Sequence, residues 1–82
     1  MTDSATLRQA ILDRVAALRA GTTCCPSEIA RALAKDWRPL MDDVRAAAAE
    51  LCDQGEITVT QGGEPVDART AKGPIRLGLP AA

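Results

Sequence analysis

The sequence contains no histidine, tyrosine or phenylalanine, and its only aromatic residue is Trp37. Histidine is the commonest general base in enzymes and tyrosine a frequent general acid, so their absence argues against acid–base catalysis. A cysteine nucleophile needs a base or an electropositive setting, and Cys25, which precedes a predicted helix, has no evident partner base. Gly62-Gly63 lacks the Lys and Ser or Thr of a phosphate-binding loop. We therefore expect no catalytic residues, no cofactor and no enzymatic activity.

Long apolar runs and an excess of charge are also absent. No stretch of about 18 apolar residues occurs, and the first ten residues lack the basic start and apolar run of a signal peptide. We expect a cytoplasmic protein without a membrane partner or an evident small-molecule substrate. The net charge of −1 lacks the strong basic footprint of most nucleic-acid binders. The 82 residues suffice for one domain, residues 1–82, in which 1–6 are expected to form a flexible tail.

The three cysteines make a poor disulfide framework, because Cys24 and Cys25 are adjacent and could join only through a strained ring. We expect reduced thiols. Together with Cys52 they could hold a soft metal ion, so a metal or redox sensor is one hypothesis. Against it, no cysteine pair has a two-residue gap, and structural zinc takes four ligands. Packing as small apolar side chains is the favoured interpretation, and no metal site is predicted.

Apolar spacing predicts three helices. The first is expected from about 7 to 19, with a capping box at Thr6 and Gln9 and a stop at Gly21. The second opens with Pro26 at its first position. The third begins within WRPLMDDV, runs to Gln54 and stops at Gly55. Each helix has one apolar face. The face of the first helix contains Leu7, Ile11, Val15 and Leu18, and that of the second contains Ile29, Ala30 and Leu33. The face of the third contains Leu40, Met41, Val44, Ala47, Ala48 and Leu51.

Alternating apolar residues after the third helix predict two antiparallel strands. One contains Ile57 and Val59, and the other contains Ile75, Leu77 and Leu79. Gly62-Gly63 provides a tight turn, and a third short extended piece is expected at Pro65-Val66. A short extended piece is also expected before the second helix, so the predicted order is helix, short strand, helix, helix, strand, wing, strand. This order predicts a mainly α, α+β fold: a three-helix, winged helix-turn-helix-like domain with a small antiparallel β-wing.

Four segments carry a resemblance to a known family: CPSEIARAL, DWRPLM, VRAAAAEL and PVDARTAKGPIRL. They resemble a small bacterial family known only as a domain of unknown function, and the likeness covers nearly the whole chain from Leu7. This resemblance implies a winged-helix-like fold and no particular activity.

The third helix has the wrong charge for reading a DNA groove. In helix-turn-helix proteins the exposed face of this helix enters the major groove. Here that face is expected to carry Asp42, Asp43, Ala46, Ala49, Glu50 and Asp53, and phosphates would repel its carboxylates. The wing is more favourable, because Arg69, Lys72 and Arg76 lie in or beside its loop, while Arg38 and Arg45 flank the helix. Alternatively, these wing charges are only solvated or loosely paired, for example Arg76 with Asp67 or Glu64.

The leading hypothesis is a small macromolecule-binding domain that contacts nucleic acid through the wing. The alternative is a protein-interaction module. Its partner face consists of Asp42, Ala46, Ala49, Glu50 and Asp53, where alanines allow close approach and carboxylates complement a basic surface. Trp37 is interpreted as a lid over the junction between the second and third helices rather than as a partner anchor.

Overall fold

The computed structural model describes residues 3–80 as three helices and four short strands. The helices are α1 (Ser4–Ala16), α2 (Pro26–Leu33) and α3 (Met41–Asp53), and a short 3₁₀ helix (Arg38–Leu40) leads directly into α3. The strands are β1 (Thr23–Cys24), β2 (Thr58–Gln61), β3 (Glu64–Pro65) and β4 (Arg76–Gly78). None of the helices in residues 3–80 combines the length and the apolar character needed to cross a bilayer.

α1 begins earlier than the sequence pattern indicated. The Asp3 carboxylate caps the helix by accepting a hydrogen bond from the Thr6 backbone N–H at 2.7 Å. The predicted capping box is wrong, because Gln9 instead donates to Asp13 at 2.8 Å. Residues 4–6 therefore belong to α1 rather than to a flexible tail, and residues 1 and 2 of that predicted tail lie outside the described residues. The helix ends at Ala16, three residues before the predicted end at Arg19.

The start of α2 and the end of α3 follow local sequence signals closely. Pro26 occupies the first turn of α2, as predicted. α3 ends in a Schellman motif, in which the Gly55 N–H donates to the Cys52 carbonyl at 3.0 Å and the Glu56 N–H donates to the Leu51 carbonyl at 2.9 Å. Gly55 has φ +76°, a conformation that side chains disfavour. After this turn only Glu56 and Ile57 precede β2.

The four strands form one antiparallel sheet in the order β1-β4-β2-β3. β4 is central, and its Leu77 pairs with Cys24 on one side and Val59 on the other. A two-residue turn joins β2 to β3. Both of its glycines have positive φ, +60° at Gly62 and +84° at Gly63, as a type I′ hairpin requires. The predicted pairing of the two main strands is confirmed, and the third short piece lies one residue earlier than predicted.

The core lies between the helices and one face of the sheet and relies on small residues. Ala47, Ala48 and Ala49 of α3 are all buried, and α3 contacts both α1 and α2. The larger buried side chains are Leu7, Ile11, Val15, Ile29, Val44, Leu51, Ile57, Val59, Ile75 and Leu77. Three helices and a four-stranded antiparallel sheet make an α+β domain, which is the predicted class and is compatible with a winged-helix-like fold.

Candidate functional site

The predicted partner face of α3 is only partly a surface. Asp42, Ala46, Glu50 and Asp53 are exposed, but Ala49 is 2% exposed. The prediction for Ala49 is wrong because the segment after β3 packs against this flank of the helix and covers it. Within this segment Ala68 is also buried, at 1% exposure. The apolar stripe of α3 is therefore wider than its spacing alone indicated.

Two of the three carboxylates on this face already have internal partners. Glu50 pairs with Arg8 of α1 at 3.2 Å, and Asp53 pairs with Arg69 at 3.1 Å. Arg69 also lies 3.7 Å from the Asp67 carboxylate. All of these side chains are substantially exposed, and such surface pairs contribute little to stability. A partner with stronger charge complementarity could therefore exchange with them at small cost.

A groove of about 300 Å³ lies beside the second half of α3. It is lined by Ala49, Cys52, Asp53, Pro65, Val66, Asp67 and Ala68. Residues of α3 form one wall of the groove and residues 65–68 form the other. The exposed carboxylates of Asp53 and Asp67 lie at its rim, and the Arg69 guanidinium is 3.1 Å from Asp53 and 3.7 Å from Asp67. We call this feature the α3 groove. Ala49 and Asp53 belong to the predicted partner face, whereas residues 65–68 were not predicted to form a site, because their only sequence signal is a weak apolar alternation.

Arg45 stabilises the loop between β3 and β4 and does not face outward as predicted. Its guanidinium donates to the Ala71 carbonyl at 2.7 Å and to the Gly73 carbonyl. The Gln61 side-chain amide donates to the carbonyls of Lys72 at 2.5 Å and Pro74 at 3.1 Å. Four successive carbonyls of residues 71–74 are thus held by two side chains. Arg45 therefore serves the fold, and its assignment as a phosphate contact is corrected.

The three predicted wing cations do not converge on one surface. Arg69 points toward α3, where it meets Asp53. Arg76 instead donates to the Thr23 hydroxyl at 2.9 Å and to the Thr23 carbonyl at 3.0 Å, which ties β4 to β1. The alternative pairing of Arg76 with Asp67 or Glu64 is therefore wrong. Lys72 is exposed at the tip of the loop and forms no salt bridge with any of residues 3–80.

Arg38, the remaining predicted nucleic-acid contact, lies beside the single tryptophan. Its guanidinium carbon is 5.0 Å from the centroid of the Trp37 ring, and that of Arg31 is 4.8 Å from the same centroid. Trp37 is half-buried and packs against the core. This agrees with its interpretation as a lid, but the two arginines give the lid a cationic outer surface.

The three cysteines lie in different surroundings. Cys24 is buried in β1, Cys52 lines the α3 groove, and Cys25 is the half-buried residue before α2. Among residues 3–80, no group of three or more histidine, cysteine or acidic side chains has the arrangement of a metal site. The expectation that the three thiols could meet is therefore not supported by the geometry.

The sequence match to a protein family spans nearly all of these features. It covers residues 4–80 and thus includes the α3 groove, the loop of residues 71–74 and the Trp37 cluster. The chain belongs to the family described as protein of unknown function (DUF3253). No curated protein matches the chain. The family membership therefore supports the resemblance stated above and assigns no activity to any of these sites.

Thiol reactivity in this member of the family is expected to differ between the adjacent cysteines. Burial acts to raise the pKa of the Cys25 thiol, but hydrogen bonding with the Ser27 hydroxyl at 2.9 Å and the nearby backbone N–H groups offset it and lower the pKa. Burial raises the pKa of the Cys24 thiol. Because the thiolate is the reactive form, we expect iodoacetamide to alkylate Cys25 at least about tenfold faster than Cys24 near neutral pH.

Mass spectrometry of the partly alkylated protein would measure both rates. The same reaction in urea is the control, because the two thiols should react at similar rates once the chain is unfolded. A Ser27→Ala variant should reduce the difference by removing the hydroxyl that lowers the pKa of Cys25. Equal rates for Cys24 and Cys25 in the folded protein would contradict the assignment.

Proposed function

We propose that this chain is a non-enzymatic, winged-helix-like domain of the bacterial cytoplasm that binds another macromolecule, and that its partner is a protein segment lying in the α3 groove. The groove itself is the observation that carries the proposal. It combines apolar and polar lining groups in similar proportion with the carboxylates of Asp53 and Asp67, a mixture that suits a recognition site on a protein surface. Its position overlaps the predicted partner face at Ala49 and Asp53.

The charges around the groove indicate the chemistry of the partner. Asp53 and Asp67 stand at the rim, exposed Glu64 lies on β3, and Arg69 is the one cation paired at this rim within residues 3–80. A basic side chain would complement this excess of carboxylates, and an apolar side chain would cover the exposed surface of Pro65 and Val66. The segment that fits best therefore presents one apolar residue flanked by lysine or arginine.

A peptide selection would test this proposal directly. Random peptides displayed on phage would be selected on the whole chain, and the enriched peptides are expected to carry an apolar residue flanked by basic residues. Val66→Asp places a charge inside the half-buried lining of the groove. We expect it to weaken the selected peptides at least about tenfold, because a buried unpaired carboxylate is costly to desolvate. Isothermal titration calorimetry would provide the affinities.

Ala20→Asp is the matched control. It adds the same charge at an exposed residue between α1 and β1, and β1 forms the opposite edge of the sheet from β3. The control variant should bind the peptides as well as the parent chain does. Enrichment of acidic peptides, or equal binding by Val66→Asp, would contradict the proposed site.

Nucleic-acid binding through the wing is the second candidate function. The fixed backbone of residues 71–74 favours it, because Arg45 and Gln61 hold the loop and leave the Lys72 ammonium exposed at its tip. Lys72→Ala is expected to lower the slope of log K against log salt for duplex DNA by about 0.9, the value for one phosphate contact. Fluorescence anisotropy of a labelled duplex at several salt concentrations would measure it.

Arg19→Ala is the control for the wing, since it removes an exposed cation from the segment between α1 and β1 rather than from the loop. An unchanged slope for Lys72→Ala, or no duplex binding by the parent chain at low salt, would remove the wing from consideration. Arg69 and Arg76 are less suitable test positions, because their ion pair and hydrogen bonds also support the fold.

A further inference from the structure

One indole ring and two guanidinium groups meet at the junction of α2 and α3, away from the α3 groove. They belong to Arg31 of α2, to Trp37 and to Arg38 of the 3₁₀ helix, and Lys35 lies two residues before Trp37 in the chain. We call these four residues the Trp37 cluster. The three cations are exposed and the indole is half-buried. Both guanidinium carbons lie within 5.0 Å of the centroid of the Trp37 ring.

The two arginines of the cluster differ from the paired arginines elsewhere in how they are held. Within residues 3–80, neither Arg31 nor Arg38 forms a salt bridge or donates a side-chain hydrogen bond. The arginines that use their N–H groups inside the protein are Arg8, Arg14 and Arg69 on carboxylates, and Arg45 and Arg76 on carbonyl or hydroxyl oxygens.

Stacking on an aromatic ring uses the flat face of a guanidinium and leaves its N–H donors unoccupied. Trp37 therefore restrains two guanidinium groups close together without neutralising them. Planar forks of N–H donors match phosphate oxygens in a bidentate manner, which a lysine cannot do. The outer face of a stacked guanidinium can also accept a nucleobase. This combination suits a ligand that alternates phosphates with flat rings.

We propose that the Trp37 cluster binds the phosphodiester backbone of single-stranded nucleic acid, with Arg31, Arg38 and Lys35 contacting phosphates and bases stacking on the exposed guanidinium surfaces. The neighbouring charges favour a single strand over a duplex. Asp36 is exposed between Lys35 and Trp37, and Asp42 and Asp43 are exposed in the first turn of α3. A wide duplex would bring further phosphates against these carboxylates, whereas a narrow, flexible strand can follow the cations and avoid them.

The single tryptophan makes the site directly observable, because Trp37 is the only indole in the chain. The test is a fluorescence titration of the full chain with an oligothymidylate of about 15 nucleotides, a length that spans a typical single-strand site. We expect saturable quenching of Trp37 at low salt. Three phosphate contacts predict a slope of log K against log salt of about −2 for a single strand.

Three variants separate a local site from general attraction. Arg31→Ala combined with Arg38→Ala should weaken binding at least about tenfold, because it removes both guanidinium forks. Lys35→Ala should lower the slope by about 0.7, the value for one single-strand contact. Arg19→Ala, which removes an exposed arginine from the segment between α1 and β1, should leave affinity unchanged. Circular dichroism would check that each variant is folded.

Four results would overturn the proposal: no quenching of the parent chain at low salt, equal loss of affinity in Arg19→Ala, equal quenching of Trp37 by a duplex of the same length, or equal quenching by polyglutamate. The last would indicate an acidic protein partner instead. The proposal is independent of the α3 groove, since Val66→Asp should leave quenching by oligothymidylate unchanged. Failure at one site is thereby distinguishable from failure at the other.

Discussion

Leu77→Ala is expected to remove about 3 kcal/mol from the free energy of unfolding, the middle of the range for truncating a fully buried leucine. Leu77 is 0% exposed and lies at the centre of β4, where it pairs with residues of both β1 and β2. A domain of this size has a total stability on the order of 5–10 kcal/mol. The variant should therefore retain the fold at low temperature but melt at least about 12 °C below the parent chain.

Urea denaturation followed by circular dichroism would measure the loss, and Leu79→Ala is its control. Leu79 lies two residues further along the chain and is only half-buried. The same truncation there should cost less than about half as much, because less apolar surface leaves water on folding. Equal losses of unfolding free energy at Leu77 and Leu79 would contradict the conclusion that Leu77 is a central residue of the core.

Arg45→Ala is expected to have the next largest effect, a loss of about 2 kcal/mol. Hydrogen bonds from charged groups contribute roughly 1.5–3 kcal/mol each when buried, and the partial exposure of this site brings the expected loss below the sum for two such bonds. The half-buried Arg45 side chain holds the Ala71 and Gly73 carbonyls. Its removal leaves the loop attached to the body of the protein by Gln61, and hydrogen exchange at residues 71–74 should accelerate.

The matched control for Arg45 is Arg8→Ala, which also removes an arginine side chain in contact with α3. Arg8 forms one exposed ion pair with Glu50, so its loss should cost no more than about 0.5–1 kcal/mol. Hydrogen exchange at residues 71–74 should be unchanged in this control. Similar destabilisation by both substitutions would show that Arg45 is an ordinary surface charge and that its hydrogen bonds do not stabilise the loop of residues 71–74.

The features predicted correctly from the sequence depend on local backbone chemistry. Pro26 starts α2 because its missing N–H is not needed there. Gly55 ends α3, and Gly62-Gly63 turns the hairpin, because each adopts a positive φ that other residues disfavour. Such constraints act within a few residues and can be read without knowledge of the tertiary structure.

The incorrect predictions depend on competing or distant groups. Thr6 looked like the N-cap of α1, but Asp3 lies three residues earlier and caps the helix with a carboxylate. Ala49 looked exposed from the period of α3, because nothing local shows that residues 65–68 cover it. Arg45 looked like a surface charge, since its carbonyl partners at Ala71 and Gly73 follow much later in the chain.

The candidate sites were predicted to different extents for the same reason. The Trp37 cluster lies within residues 31–38, but the positions of these residues in the sequence do not show that the guanidinium groups of Arg31 and Arg38 lie over the Trp37 ring. The α3 groove joins the end of α3 to residues 65–68, so only its helical wall could be anticipated. The sequence therefore predicts which elements exist, whereas the surfaces between them require the assembled structure.

The position of β4 at the centre of the sheet also determines how this protein folds. β4 joins β1, which precedes two of the three helices, so the Thr23–Gly78 pairing closes a loop that includes most of the chain. Contacts of such high sequence separation slow folding relative to a simple helical bundle. During synthesis the helices emerge before β4, and their apolar faces stay uncovered by the sheet until it arrives. We expect the nascent chain to be most prone to aggregation during that interval.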